Sequence, residues 1–422
     1  LQKYSFMEKL PDSFLSYTRQ LLGDELFGTL LSGLEAEAPV SIRLNPYKCP
    51  KGTTVGNAGG RVPWCPEGWY LNDRPTFTLD PLLHAGLYYV QEASSMFISH
   101  IVHTLVHEPV TALDLCAAPG GKTTCMMSAL PDGSTLFSNE PICQRAQVLS
   151  ENIQKYGHPA ITVTNNYPKD YGQSGLQFDL ILTDVPCSGE GMFRKDPGAI
   201  TEWSPEKVEE CWRLQRSIVE DVWPSLKPGG ILIYSTCTFN AHEDEENVEW
   251  IARELGAESV TIPTDPAWNI TGALVGNRPC YRFLPGKTIG EGLFVSVLRK
   301  TGDTKPATGR GRGLHVLSQG IHDGVVKGKN LIPDVSMALS IEKDKEQYPL
   351  VDVDWPTAIA YLRRESVVLP PETPRGIVRI AFRGQDLGFA KNIGNRANNL
   401  YPQAWAIKTT YIKEPCNNIL IY

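Results

Sequence analysis

Between residues 111 and 300 the hydrophobic pattern alternates between two periods. Short apolar runs predict buried strands in "TALDLCAA" (111–118), "STLFSNE" (134–140), "ITVTN" (161–165), "FDLILTDVP" (178–186), "GGILIYSTC" (229–237) and "GLFVSVLRK" (292–300). Helical spacing separates them in "KTTCMMSAL", "PICQRAQVLSENIQKYG" and "SPEKVEECWRLQRSIVEDVWPSL". In the last of these Val208, Cys211, Trp212, Ile218, Val219, Val222, Trp223 and Leu226 share a face. Ser204 suits its N-cap and Pro205 its first helical position. Strands alternating with helices predict an α/β fold with a doubly wound, mostly parallel sheet. Ligands of such sheets bind beyond the carboxyl ends of the strands.

The flanks read differently. Residues 1–90 begin with helical patterns and continue with a strand and turn in "APVSIRLNPYK", which suggests a small α+β accessory domain. The catalytic-type α/β region is expected over 91–300 and a linker over 301–329, where Gly and Thr are frequent. Arg310 and Arg312 in that linker could meet phosphates or simply face solvent. From 330 to 422, "VDVDWPTAIAYLRRESV" predicts a helix, and "GIVRIAFRGQDLGFAKNIGNRANNLYP" predicts short strands with tight turns.

Composition narrows the function classes. The chain of 422 residues exceeds one ordinary core, so two or three domains are expected. Charge is divided: residues 1–300 hold 24 basic and 35 acidic side chains, and residues 301–422 hold 16 and 12. The basic balance of the C-terminal part is compatible with a polyanionic partner. No apolar run is long enough for a membrane span, and "LQKYSFMEKLPDSFLSY" has no signal-peptide pattern. The ten cysteines form no C-x-x-C pair, so no metal site is expected, and a reducing cytoplasm is the expected compartment.

Candidate chemistry collects at the strand ends. "LDLCAAPGGKT" is a strand, a Gly-rich turn and a helix start. It is not a phosphate loop, because that motif needs glycine where Cys116 stands. The remaining fit is a nucleoside ligand, S-adenosyl-L-methionine. On this reading Cys116, Ala117, Ala118, Pro119, Gly120, Gly121 and Lys122 form its cradle. Glu140, at the next strand end, can accept both ribose hydroxyls or be an ordinary surface acid. Asp184 and Cys187 follow the fourth run, and Cys237 ends the fifth. Asn240 with Glu243 fits a capping box, which would put Cys237 beside a helix N-terminus and favour its thiolate. The run "EDEE" (243–246) then reads as solvated first turns, and either cysteine could instead be a core residue.

"DLCAAPGGKT", "TDVPCSGEG" and "YSTCTFNAHEDEENV" resemble the RNA 5-methylcytosine methyltransferases, the family that includes the Nol1/Nop2/Sun proteins. "SIRLNP" and "GLYYVQEASSM" resemble that family's N-terminal segments. "VDVDWPTAIAYLRRE" and "LGFAKNIGNRANNLYPQAW" resemble the PUA-like RNA-binding part of its bacterial RsmF branch.

The resemblance implies a Rossmann-like class I S-adenosylmethionine-dependent sheet acting on cytosine C5 of RNA, with 16S ribosomal RNA the expected substrate and tRNA the alternative. It implies that Cys237 attacks C6 and Cys187 assists release, with Asp184 near N3 of the base and Lys122 in the catalytic set. It implies cofactor contacts from 116–122, Glu140 and Asp184, and from Asn166 at the third-strand end, where the family often has Asp. No membrane partner is expected, and the working unit is expected to be a monomer. A noncatalytic ribosome-assembly factor is the rival reading; the presence of both cysteines, Asp184 and Glu140 argues against it.

Overall fold

The computed structural model describes residues 9–302, 313–328, 330–342, 344–409 and 419–422. Its centre is a twisted sheet whose main strands we number β1–β8 in chain order. They are Thr111–Asp114, Thr135–Asn139, Ile161–Thr164, Phe178–Asp184, Leu226–Thr236, Ala257–Ser259, Leu293–Lys300 and Val316–Gln319. Their spatial order is β6-β7-β5-β4-β1-β2-β3-β8, with the short strand Tyr281–Phe283 also paired to β7. The five strands β1–β5 run parallel, so their carboxyl ends open on one side. Strands β7 and β8 run antiparallel to their neighbours.

Both faces of the sheet are covered, which is why these strands read as continuous apolar runs. On one side helix α1 (Gly121–Ala129) and helix α2 (Cys143–Tyr156) bury Met126, Leu149 and Ile153. On the other, helix α3 (Pro205–Val222) and helix α4 (Glu245–Glu254) bury Val219, Val222, Val248 and Ile251. Ser204 Oγ accepts the Lys207 N–H at 3.1 Å, the cap expected for α3.

The flanking regions meet each other. The antiparallel sheet around Val40–Leu44 and Gly68–Leu71 shares one hydrophobic core with helix Trp355–Leu362 and strands Gly376–Phe382 and Gln385–Asn392. Ile42, Leu44 and Leu82 are buried together with Ile359, Leu362, Val378 and Ile380. Trp355 Nε1 donates to Leu79 O at 2.9 Å, and Thr54–Val55 pairs with Leu420–Ile421. The N-terminal helical segment Asp12–Glu35, two helices broken at Gly23 (φ 74°), goes elsewhere. Its Phe14 packs edge-on against Phe193 and Trp203, bracing the turn that follows β4.

Two expectations need correction. The stretch 301–329 is not only a connector, because β8 extends the central sheet beside β3. Arg310 and Arg312 lie outside the described residues. The run 243–246 is not a solvated face: Glu243, Asp244 and Glu245 are buried and only Glu246 is exposed. For Asp244 and Glu245 the reason is Arg282, itself wholly buried, which donates to Asp244 Oδ2 at 2.8 Å and to Glu245 Oε1 at 2.6 Å. A buried guanidinium satisfies two buried carboxylates through its fork of donors. Among the described residues no helix is long and apolar enough to cross a membrane.

Candidate active site

The strand ends of β1, β4 and β5 open on a cleft of about 390 Å³. Its walls include Cys116, Ala117, Ala118, Pro119, Gly121, Lys122, Asp184 and Cys237, so three separate motifs converge there. Gly120 supports this cradle from beneath. Its φ of 111° is a left-handed conformation that glycine adopts without a Cβ penalty, and it starts α1. At Gly121 a Cβ would stand 3.1 Å from Tyr89 Cε1, so a side chain would narrow the cleft. Asp114, at the end of β1, is fully buried and accepts Thr123 Oγ1 at 2.6 Å, which fastens α1 to the strand. Burial pushes its carboxyl up to about 7.

Lys122 Nζ donates to Asp184 Oδ2 at 2.8 Å, and Ser235 Oγ donates to Asp184 Oδ1 at 2.8 Å. Burial pulls the lysine's affinity for its proton down, but the charge of Asp184 and the bond to it outweigh that and raise it. Asp184 is thereby held in a fixed orientation. The two thiols meet beside it: Cys187 Sγ and Cys237 Sγ are 3.2 Å apart, and both are free. The bond to Cys237, then burial, holds the Cys187 thiol well above its ordinary range. Either sulfur can be the donor across this contact. The Gly191 N–H donates to Cys237 O at 2.7 Å, and a Cβ on Gly191 would clash with that oxygen.

Two expected features are placed differently. Helix α4 begins at Glu245 rather than beside Asn240, and Thr236 and Thr238, on either side of Cys237, donate to Oδ1 of its N-cap Asp244 at 2.6 and 3.3 Å; Asn240 Oδ1 caps a preceding turn by accepting the Glu243 N–H at 2.8 Å. Asn166 does not offer a free side chain. Its Oδ1 accepts the His315 N–H at 2.9 Å and its Nδ2 donates to His315 O at 3.2 Å, which holds the chain entering β8. Glu140 stands at the end of β2 as expected but is buried. It accepts the Ile142 N–H at 3.0 Å, and its other oxygen lies 3.6 Å from Arg145 Nη2.

The donor set suits a nucleoside with a charged side chain. The Gly121 cradle admits close approach, Asp184 faces the cleft, and Glu140 lies next along the strand ends. Among the described residues no group of three His, Cys, Asp or Glu side chains could hold a metal ion. Sequence reading missed Glu190, a buried acid behind the thiols, for which a carboxylate between Gly189 and Gly191 was the available signal, and it read Glu243 only as a cap and a solvated acid.

Residues 103–299 match the family described as 16S rRNA methyltransferase RsmB/F. Residues 10–93 match the N-terminal domain of 16S rRNA methyltransferase RsmF, and residues 348–407 match the methyltransferase RsmF PUA domain. The chain belongs to the RsmF branch of the Nol1/Nop2/Sun family. It is similar to ribosomal RNA small subunit methyltransferase F of Pectobacterium atrosepticum, at 33% identity over 70% of this chain and 64% of that protein. The likeness to the Cronobacter sakazakii protein of the same name is 31% over 70% and 64%. Both alignments thus span less than two thirds of those relatives. The same-named Salmonella agona protein is 29% identical over 93% of this chain and 96% of its own length. Among solved structures, a methyltransferase homologue from Pyrococcus horikoshii matches with a TM-score of 0.59 and 25% identity, covering 71% of this chain and all of that one. The structure of NSun6 from the same organism with SFG matches at 0.60 and 21%, covering 70% and 100%. The fold is the Rossmann-like class I S-adenosylmethionine-dependent methyltransferase sheet, with an N-terminal domain and a C-terminal PUA domain.

Proposed function

We propose that this protein is an RNA (cytosine-C5)-methyltransferase acting on 16S ribosomal RNA. The observation that carries the reading is the pair of free thiols, 3.2 Å apart, at neighbouring strand ends beside the Lys122–Asp184 pair. The cofactor is S-adenosyl-L-methionine, which supplies the methyl group. Cys116 to Lys122 and Glu140 are its proposed contacts, with Asp184 between cofactor and base.

Cytosine C5 is a poor nucleophile, and two thiols solve that problem in sequence. Cys237 Sγ bonds to C6, which makes C5 electron-rich enough to take the methyl group. Asp184, held on both oxygens, faces N3 and supports the charge that develops on the ring. Cys187 Sγ takes the C5 proton; the C–H pair re-forms the C5–C6 double bond and the C6–S pair leaves on Cys237. The target base must leave its stack to reach thiols at a cleft floor. The relatives' names and the match to an RsmF PUA domain support the substrate, and such a substrate would put the work in the cytoplasm.

The test uses Cys187→Ala and Cys237→Ala with 16S RNA and S-adenosylmethionine. Cys187→Ala should give a covalent RNA–protein band on a denaturing gel, and Cys237→Ala neither band nor product. The reversed pattern would exchange the roles. Bisulfite sequencing of ribosomal and transfer RNA from a deletion strain identifies the substrate; loss confined to tRNA would overturn the ribosomal assignment.

A further inference from the structure

Glu190 and Glu243 are buried behind the two thiols, and neither lines the cleft. Their hydrogen bonds are crossed. Glu190 belongs to the turn of Cys187, yet its carboxylate accepts the Phe239 N–H at 2.6 Å and Asn240 Nδ2 at 3.0 Å, both from the turn of Cys237. Glu243 belongs to the turn of Cys237, yet it accepts the Ser188 N–H at 3.0 Å, next to Cys187. Gln215 from α3 adds a bond to Glu243 at 2.6 Å and one to Pro186 O at 3.0 Å. Trp203 Nε1 completes Glu190 at 3.1 Å.

All these partners are neutral N–H donors, and among the described residues neither acid has a lysine or arginine within ion-pair distance. Burying carboxylates costs free energy that no ion pair here offsets. What they offer is acceptor capacity without donors, which fits backbone N–H groups that must be held from behind. Phe239 is two residues from Cys237, and Ser188 is adjacent to Cys187, so each bond fixes the position of a thiol.

We infer that Glu190 and Glu243 are positioning residues that act crosswise, Glu190 holding the attacking Cys237 and Glu243 holding the releasing Cys187. The inference rests on the proposed division of labour between the thiols. A displacement of about 1 Å at a reacting group costs on the order of a hundredfold in rate. Loosening Cys237 should therefore slow attack, whereas loosening Cys187 should slow only release.

The experiment uses full-length Glu190→Gln and Glu243→Gln, with Glu190→Asp and Glu243→Asp as milder variants that keep the charge and shorten the reach. Each is mixed with 16S RNA and S-adenosylmethionine, and covalent adduct and methylated product are followed through one turnover. Glu243→Gln should accumulate adduct at least ~10-fold above the unmodified enzyme. Glu190→Gln should form product ~100-fold more slowly, with no adduct. The Asp variants should repeat the split at smaller amplitude, and all should bind S-adenosylmethionine within about twofold of the unmodified enzyme. Equal loss in both variants, the opposite split, or a matching fall in cofactor affinity would mean that the acids only support the fold. Cys187→Ala separates the two readings. If it traps adduct and Glu243→Gln and Glu243→Asp do not, the crosswise assignment fails alone; if it traps none, the division of labour fails and takes the assignment with it.

Discussion

Asp184 is held by Lys122 on one carboxylate oxygen and by Ser235 on the other, each at 2.8 Å. The first partner comes from the helix after β1 and the second from β5, so one side chain joins three strand ends. A carboxylate fixed on both oxygens cannot rotate away from a base placed above it. Asp184→Asn keeps the shape but puts an amide N–H₂ against one of two donors. Turnover is expected to fall ~100-fold or more, as for loss of a transition-state electrostatic group. Lys122→Met is expected to lower it in the same direction. Single-turnover methylation with saturating RNA checks both, and near-normal rates in both would remove the pair from the reaction.

Arg282 neutralises two buried acids at once. Arg282→Met would leave Asp244 and Glu245 buried without their cation. Loss of one partner from a buried pair costs about 3–5 kcal/mol. The melting temperature should fall well beyond the spread of surface substitutions. The double variant Arg282→Met with Asp244→Asn should recover part of that loss, because the stranded charge is then smaller; denaturant unfolding measures both.

Asp114 gives the stability a pH dependence. Burial raises its carboxyl from 3.8 to about 7. A raised folded-state value means a contribution that is full below about 3.8 and lost as pH rises through about 7. Asp114→Asn removes that dependence. At about 1.4 kcal/mol per unit, the stability of the variant relative to the parent should improve by up to about 4 kcal/mol between pH 4 and pH 8. Urea unfolding at the two pH values gives the difference; parallel curves would mean that Asp114 does not ionise over this range.

Asn166 offers a test of what the third-strand end does. Asn166→Ala deletes both bonds to His315. Amide exchange in Val316–Gln319 should rise, because this edge strand then loses two of the bonds that hold its entry. S-adenosylmethionine affinity should change little if the side chain only anchors β8. A large fall in affinity would restore the adenine contact that the sequence suggested.

The shared core changes how the C-terminal region can be probed. Removing residues from 348 onward would expose Ile42, Leu44 and Leu82, which pack against Ile359, Leu362, Val378 and Ile380. Charge substitutions on the surface of the PUA domain are the cleaner way to ask whether it grips RNA, with the salt dependence of binding as the readout.

The sequence by itself determined the elements and their ends. Apolar runs buried on both faces announced the strands β1–β5 and β7, and Gly-rich or thiol-bearing motifs marked where the parallel strands stop. Those signals are local: periodicity and turn chemistry act over a few residues. Only the tertiary structure decided which distant groups meet. Glu243, Asp244 and Glu245 looked like a wet helix start because nothing nearby in sequence could satisfy them; Arg282, the partner of Asp244 and Glu245, arrives from another strand, and Glu243 is bonded by Ser188 and Gln215. Asn166 looked like a ligand because its partner His315 lies in what read as a linker. The separation of the two thiols, and the crossed acids behind them, follow from β4 and β5 lying side by side. Burial of a charge is settled by its partner, and a partner in contact can be far away in the chain.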